Sequence, residues 1–310
     1  MFRTLALAAL LSVAAPVAAL AQDGHVNHAA HDHHAAFSSD RLTVQVEGQG
    51  PDVILIPGLS SSPDIWQGTV YQFGGRYRIH RVHIQGFAGA APAGNAQTGA
   101  APTLIAAPAA EEIARYIREQ GLQKPAVVGH SMGGTIAMML AARHPDSVGR
   151  LMVVDMIPFM GAMFGPPGTT VETVTPVADQ VYAVQANSPR ETYVAQATTA
   201  ITGMVNNAER REEALEDMRT SDQKVSAAAF RELITTDLRP ELSKITAPTE
   251  VLYVKFSPPL TAELTDAIYQ ASFASLPKVE LKRIDDSAHF IMFDQPQTFY
   301  GDLDAFLSAK

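Results

Sequence analysis

The segment AVVGHSMGGTIAMMLAARHP, Ala126 to Pro145, constrains the fold more than any other part of the chain. Val127 and Val128 lie in an apolar run of strand length, and a helical pattern follows from Thr135, so the backbone must pass from strand to helix within a few residues. Between the two stands Gly129-His130-Ser131-Met132-Gly133. A turn that tight needs positions nearly free of side chain on either side of the serine, and it lifts the hydroxyl to the amino end of the helix. Ser131 is therefore a candidate nucleophile whose attack the helix's positive pole would assist.

The rest of the chain extends the same alternation. LTVQVEG, from Leu42, alternates apolar and polar residues like a half-buried strand, whereas VILIPG, Val53 to Gly58, is a continuous apolar run. YRIHRVHI, Tyr77 to Ile84, is a third strand candidate. AAEEIARYIREQG, Ala109 to Gly121, places acids in its first turn, Ile113, Tyr116 and Ile117 at helical spacing, and glycine at its end, which predicts a helix. RLMVVD (Arg150 to Asp155), TEVLYV (Thr249 to Val254) and KVELKRID (Lys278 to Asp285) read as further strands, and a last helix is expected near Gln297 to Ser308. Short apolar strands alternating with helices call for an α/β fold, a mostly parallel central sheet with helices on both faces. Between Met156 and about Leu238 the alternation stops. MFGPPGTT and then helical sequence such as NNAERREEALEDMRT predict an inserted helical lid at 156–238, with the core formed by 42–155 and 239–310.

Length and charge narrow the class. A chain of 310 residues, 46% hydrophobic and 18% charged, has enough apolar sequence for one large globular core. A formal charge of −9 argues against nucleic acid or an anionic lipid surface as partner. The opening MFRTLALAALLSVAAPVAALAQ combines Arg3, an apolar run and Ala19-Leu20-Ala21, the pattern of a signal peptide covering 1–21. Its removal takes away one positive charge, shifting the formal charge from −9 to −10. The expected product is an acidic periplasmic or secreted protein without a membrane span, and with no cysteines it would form no disulfides. Residues 22–41 read as a flexible arm carrying His25, His28, His31, His33 and His34. Such spacing gives adventitious affinity for metal ions, but no metal or cofactor enters the expected chemistry.

Three stretches, VVGHSMGG, the upstream LIPGLSSS followed by Trp66, and the downstream AHFIMFDQPQTF, resemble the α/β-hydrolase superfamily. The likeness runs from Leu42 to Leu307, including the order of serine first and histidine last. It implies that His289 is the general base for Ser131, worth about 10²–10⁴ in rate. It further implies that the backbone N–H groups of Leu59 and Met132 receive the oxyanion, each worth roughly 3–4 kcal/mol. His130 and Trp66 are expected to pack around the elbow and below the Leu59 loop. His80, His83 and His144 read as structural or exposed. Two departures stand out: Pro57-Gly58 where relatives often have His-Gly, and His83 where an aspartate usually organises the nearby loop.

The acid is the open point. Many superfamily members carry it after the seventh strand of their sheet, where this chain has Ser257, Pro258 and Pro259. The alternative is the end of the sixth, and LMVVDMIP puts Asp155 there. Asp155 is the favoured candidate, with Glu263 and Asp266 as alternatives. Asp285 and Asp286 are too near His289 in sequence to back it. At the lid's root, Met156, Phe159 and Met160, with Met163 and Phe164, suit an apolar acyl or alcohol group. The expected activity is serine hydrolysis of a neutral, fairly apolar small-molecule ester, thioester or lactone through an acyl-enzyme. A perhydrolase or acyltransferase would differ only in the acceptor. The competing expectation is an exported metal-binding protein with an idle hydrolase core.

Overall fold

Successive residues of the central strands serve opposite faces of one sheet, which is why their sequences are apolar throughout. In the computed structural model, which describes residues 37–99, 101–256 and 260–309, Ile54 and Ile56 pack on one face while Val53 and Leu55 pack on the other. The expected leader, the arm's histidines and Ser257 to Pro259 lie outside the described residues.

In chain order the elements are β1 (Leu42–Gly48), β2 (Asp52–Ile56), α1 (Gln67–Phe73), β3 (Arg78–Ile84), α2 (Ala106–Glu119), β4 (Ala126–His130), α3 (Met132–Arg143) and β5 (Arg150–Val154). Four helices follow without a strand: α4 (Val171–Asn187), α5 (Arg190–Thr202), α6 (Ala208–Thr220) and α7 (Gln223–Thr235). The chain then returns to β6 (Thr249–Tyr253), α8 (Ala262–Ser272), β7 (Val279–Arg283), α9 (Ile291–Asp294) and α10 (Pro296–Ser308). The strands form one seven-stranded sheet in the order β1-β3-β2-β4-β5-β6-β7. Only β1, paired with β3, runs antiparallel. This is the α/β fold expected from the sequence. No helix among the described residues is long and apolar enough to cross a membrane.

Burial explains the elements that carry the elbow. Every residue of α3 from Met132 to Ala142 is buried, so the helix is apolar on all sides because protein surrounds it on all sides. On the opposite face of the sheet, Trp66 is wholly buried and packs near Phe299 of α10, with ring centroids 6.0 Å apart. Trp66 thus packs beneath the loop that begins at Pro57, away from the cavity.

One helix boundary differs from expectation. The predicted start at Ala109 moves to Ala106, and no side chain nearby caps it. Instead the Glu232 carboxylate of α7, which is almost wholly buried, accepts the N–H groups of Ile105 (2.6 Å), Ala106 (2.8 Å) and Ala107 (2.8 Å). An anion at a helix amino end satisfies orphan donors and opposes the dipole, the role a local Asp or Ser would otherwise fill. Burial nevertheless pushes the Glu232 carboxyl above its usual range, against the pull of those three N–H groups.

A second strained acid lies one strand in from the sheet's far edge. Glu250 of β6 sits in register with Glu280 of β7. Burial first, then the Asp302 and Glu280 charges, raise its carboxyl to about 7. A carboxyl whose folded pKa lies above its unfolded value supports the fold at low pH and ceases to do so as pH rises through that folded value. Glu250→Gln is therefore expected to stabilise the protein by about 1–2 kcal/mol at pH 8, allowing for solvent screening, and to change little at pH 4. Thermal melts of both proteins at the two pH values check this; equal melting temperatures at pH 8 contradict it.

Candidate active site

The elbow begins where β4 ends. Ser131 has φ 55° and ψ −124°, a conformation that a side chain adopts only when its surroundings enforce it. Here the Ser131 N–H donates to the Val154 carbonyl at 2.9 Å, while the Gly134 N–H donates back to the Ser131 carbonyl at 2.8 Å. The two flanking glycines have no room for a Cβ. One at Gly129 would lie 2.1 Å from the Gly133 carbonyl oxygen, and one at Gly133 would lie 2.2 Å from that of Ile56. Gly58 closes over the same turn, since a Cβ there would stand 3.1 Å from the Ser131 Cβ. The Pro57-Gly58 departure therefore keeps the Leu59 loop riding directly on the elbow.

Asp155 is the residue after β5, and its backbone turns sharply there with φ 52°. Its N–H donates to the Leu252 carbonyl at 2.7 Å, so the last sheet-like bond of β5 points the side chain across the carboxyl end of β6. The Asp155 carboxylate is buried and fully engaged. Oδ2 lies 2.6 Å from His289 Nδ1, and Oδ1 accepts from the Tyr269 hydroxyl (3.0 Å) and the Val254 N–H (3.1 Å). With Nδ1 held by a carboxylate, the neutral imidazole carries its proton there and presents Nε2 as the acceptor a base needs. His289 and Ser131 line the same cavity.

The structure separates the candidate acids. Glu263 is in the exposed first turn of α8, and Asp266 is bound to the Tyr253 hydroxyl (2.9 Å) and to the Arg283 guanidinium. Asp285 pairs with Arg283 at 2.9 Å. None of these contacts reaches His289.

Tyr269 was not singled out in the sequence. It is one of eight tyrosines, and only its i, i+4 relation to Thr265 on the buried face of α8 hints at burial. Burial, and then the Asp155 charge, hold its hydroxyl well above the usual tyrosine range, so it stays a donor. Replacing it with phenylalanine removes one of three donors from Asp155. Tyr269→Phe is expected to lower kcat roughly tenfold, the size of one hydrogen bond to a charged group, with KM changed less than threefold. A kcat within twofold of wild type would count against this role.

The other histidines are occupied elsewhere. His130 is wholly buried, its Nε2 lies 3.0 Å from the His289 carbonyl oxygen, and its ring packs 4.7 Å from the His289 ring. Burial and the neighbouring His289 keep it neutral, well below the usual histidine range. His80 joins Tyr116 (2.6 Å) and Asp52 (3.0 Å), His83 holds the turn at Phe87 (2.9 Å), and His144 meets Glu111 (2.9 Å). That bond from His83 supplies local support for the loop where an aspartate was expected. Among the described residues no group of three or more His, Cys, Asp and Glu side chains is placed to hold a metal.

The cavity above Ser131 measures about 550 Å³. Leu59, Met156, Met160, Met163 and Phe164 line it, as do residues from all four inserted helices. Phe159 does not. It is 1% exposed and packs instead against Val174, Ala178 and Ile234, with the Arg239 guanidinium 4.6 Å from its ring centre. The expectation that Phe159 touches substrate is corrected: it belongs to the small core under α4 and α7. Met132 is fully buried, and its backbone follows Ser131 at the start of α3.

An elbow at the carboxyl end of a doubly covered parallel sheet, with a histidine loop arriving last in the chain, defines the class as a hydrolytic enzyme. A family model of the alpha/beta hydrolase fold matches residues 51–296, and the chain belongs to that family. It is 25% identical over 255 residues to a pimeloyl-[acyl-carrier protein] methyl ester esterase of Vibrio cholerae, spanning 82% of this chain and 93% of that one. It is 26% identical over 271 residues to the enzyme of the same name from Aeromonas hydrophila, spanning 86% and 100%. Among solved structures it resembles a hydrolase from Pseudomonas aeruginosa (TM-score 0.69, 18% identity, 86% of this chain and 94% of that one). It also resembles the enol-lactonase of Burkholderia xenovorans (TM-score 0.67, 17% identity, 86% and 96%). The two structural likenesses concern the fold. The chain is a carboxylic ester hydrolase.

Proposed function

We propose that the protein is an exported serine hydrolase that cleaves a neutral, fairly apolar small-molecule ester through Ser131, His289 and Asp155. The observation that carries this reading is the 2.6 Å contact between His289 Nδ1 and Asp155 Oδ2 beside the strained serine turn. His289 takes the Ser131 proton as the hydroxyl attacks the carbonyl carbon, and the imidazolium is stabilised by the buried carboxylate. The oxyanion is received by the N–H groups of Leu59 and Met132. His289 then gives its proton to the leaving alcohol, the acyl group stays on Ser131, and water activated by His289 releases the acid. An acceptor other than water would make the same site an acyltransferase or perhydrolase.

The inserted helices α4–α7 would form a lid, and their apolar lining favours an acyl or alcohol group without charge. Export rests on Arg3, the apolar run and Ala19-Leu20-Ala21, and amino-terminal sequencing of the mature protein tests it. The activity is tested with p-nitrophenyl esters from acetyl to decanoyl and with simple methyl esters, since two relatives are named for a methyl ester. Turnover that rises and then falls with chain length is expected from an apolar cavity of about 550 Å³. No turnover on any of these esters would overturn the reading.

A further inference from the structure

The loop that follows β2 is held by the inserted helices as well as by the elbow. Ser60 has φ 56°, a conformation that costs a serine free energy unless neighbours hold it. Its neighbours are in α7 and at the α6–α7 junction. The Ser60 and Ser226 hydroxyls lie 2.8 Å apart in a buried hydrogen bond. The Ser221 hydroxyl donates to the Asp217 carbonyl at 2.7 Å, lies 3.3 Å from the Ser60 carbonyl, and accepts from the Ala88 N–H at 2.8 Å. The Ser62 N–H donates to Oδ2 of Asp217, in α6, at 2.7 Å. On the sheet side the loop has the Ser61 N–H to Gly58 carbonyl bond of its own turn, at 3.2 Å, and the close approach of Gly58 to Ser131.

From these contacts we infer that Asp217 and Ser226 are positioning residues for the oxyanion site, so that α6 and α7 complete the catalytic centre as well as cover it. This inference rests on the serine-hydrolase reading, in which the Leu59 N–H is one of the two oxyanion donors. Leu59 sits between Gly58, fixed against the elbow, and Ser60, fixed by the inserted helices. Its N–H lies in the Gly58–Leu59 peptide plane, and the Gly58 carbonyl of that plane accepts from the Ser61 N–H at 3.2 Å, so the turn through Ser60 holds the plane from its far side. Loss of the Ser226 and Asp217 contacts would leave Ser60 free to relax out of its strained conformation, and the turn that brings the Ser61 N–H to the Gly58 carbonyl would shift with it. The donor would then no longer point at the place where negative charge develops.

Asp217 is suited to this work at some cost to itself. It is partly buried, and burial, with repulsion from Asp64 and Glu213, raises its carboxyl to about 6 in spite of the bond from Ser62. An asparagine would avoid that cost and still accept the Ser62 N–H through its carbonyl oxygen.

The test compares Asp217→Ala, Asp217→Asn and Ser226→Ala with wild type on p-nitrophenyl butyrate. Each protein is also titrated with an alkyl trifluoromethyl ketone, which forms an oxyanion on Ser131, and with the corresponding alcohol, which forms none. Asp217→Ala is expected to lose about 10- to 100-fold in kcat, the cost of a donor displaced by an ångström or less, with KM changed less than threefold. Its ketone affinity falls in parallel and its alcohol affinity does not. Asp217→Asn restores most of kcat, and Ser226→Ala shows the same pattern as Asp217→Ala to a smaller degree. Thermal melting identifies a variant that has not folded; if Asp217→Ala is one, Ser226→Ala alone decides. Kcat within twofold of wild type, or a loss confined to KM with ketone affinity intact, overturns the inference. Wild type without Ser131-dependent turnover overturns the underlying hydrolase reading instead, so the two failures are distinct.

Discussion

Asp155→Asn is expected to lower kcat on a p-nitrophenyl ester by about 10³–10⁴ while leaving KM within a few-fold of wild type. The asparagine keeps the size of the side chain, and its carbonyl oxygen can still accept from Tyr269 or Val254. In the proposed mechanism it loses the charge that would hold the His289 proton on Nδ1 and stabilise the imidazolium formed as Ser131 attacks. The amide can also turn its NH₂ toward Nδ1, which forces the ring's proton onto Nε2, the nitrogen that must accept from serine. Burial amplifies this effect. Asp155 is 7% exposed, so no water replaces the lost acceptor. Glu263→Gln and Asp266→Asn, measured beside it, are expected to stay within twofold, because neither carboxylate contacts His289. Equal and large losses in all three would mean that no single carboxylate backs the histidine.

Ser131→Ala is expected to remove measurable ester turnover, a loss of roughly 10⁴–10⁶, and to abolish covalent labelling by a fluorophosphonate. Its value depends on the fold staying intact. Alanine meets the same φ restriction as serine at 55°, and no hydrogen bond that shapes the turn uses the serine hydroxyl; those are made by the Ser131 N–H and carbonyl. The melting temperature should therefore stay within about 2 °C of wild type. A dead enzyme that melts normally assigns the loss to chemistry. Retained labelling in the variant would move the nucleophile elsewhere.

Much of the fold was legible because the sheet is covered on both sides. Residues such as Ile54 and Leu55 are both apolar since each meets a different core, and that produces the uninterrupted runs by which buried parallel strands are recognised. The serine turn was legible for a backbone reason: Gly129 and Gly133 stand where any Cβ would collide with a carbonyl oxygen. The partner of His289 was legible only as a choice of three, with Asp155 favoured. Asp155, Glu263 and Asp266 are all acids beside strand ends, and what separates them is a burial and a turn that local sequence does not encode. Tyr269 was missed because a tyrosine's hydrogen-bond partner 114 residues away leaves no mark on spacing. Phe159 was misassigned for the opposite reason. Its neighbourhood is as apolar as the cavity's, and only the path of α4 and α7 decides which side of the chain it faces.

The carboxylate that caps α2 from α7 bears on how such enzymes diversify. Inserted helices of this kind look interchangeable, since they leave the sheet after β5 and return before β6 without disturbing strand order. Here the exchange would not be clean. A graft that replaced α4–α7 and carried no acid at the position of Glu232 would leave three N–H groups at the start of α2 without acceptors, in a place water reaches poorly. New specificity built by transplanting this region therefore has to bring a matching anion with it, or rewrite Thr103 to Ile105 so that the core helix closes its own end.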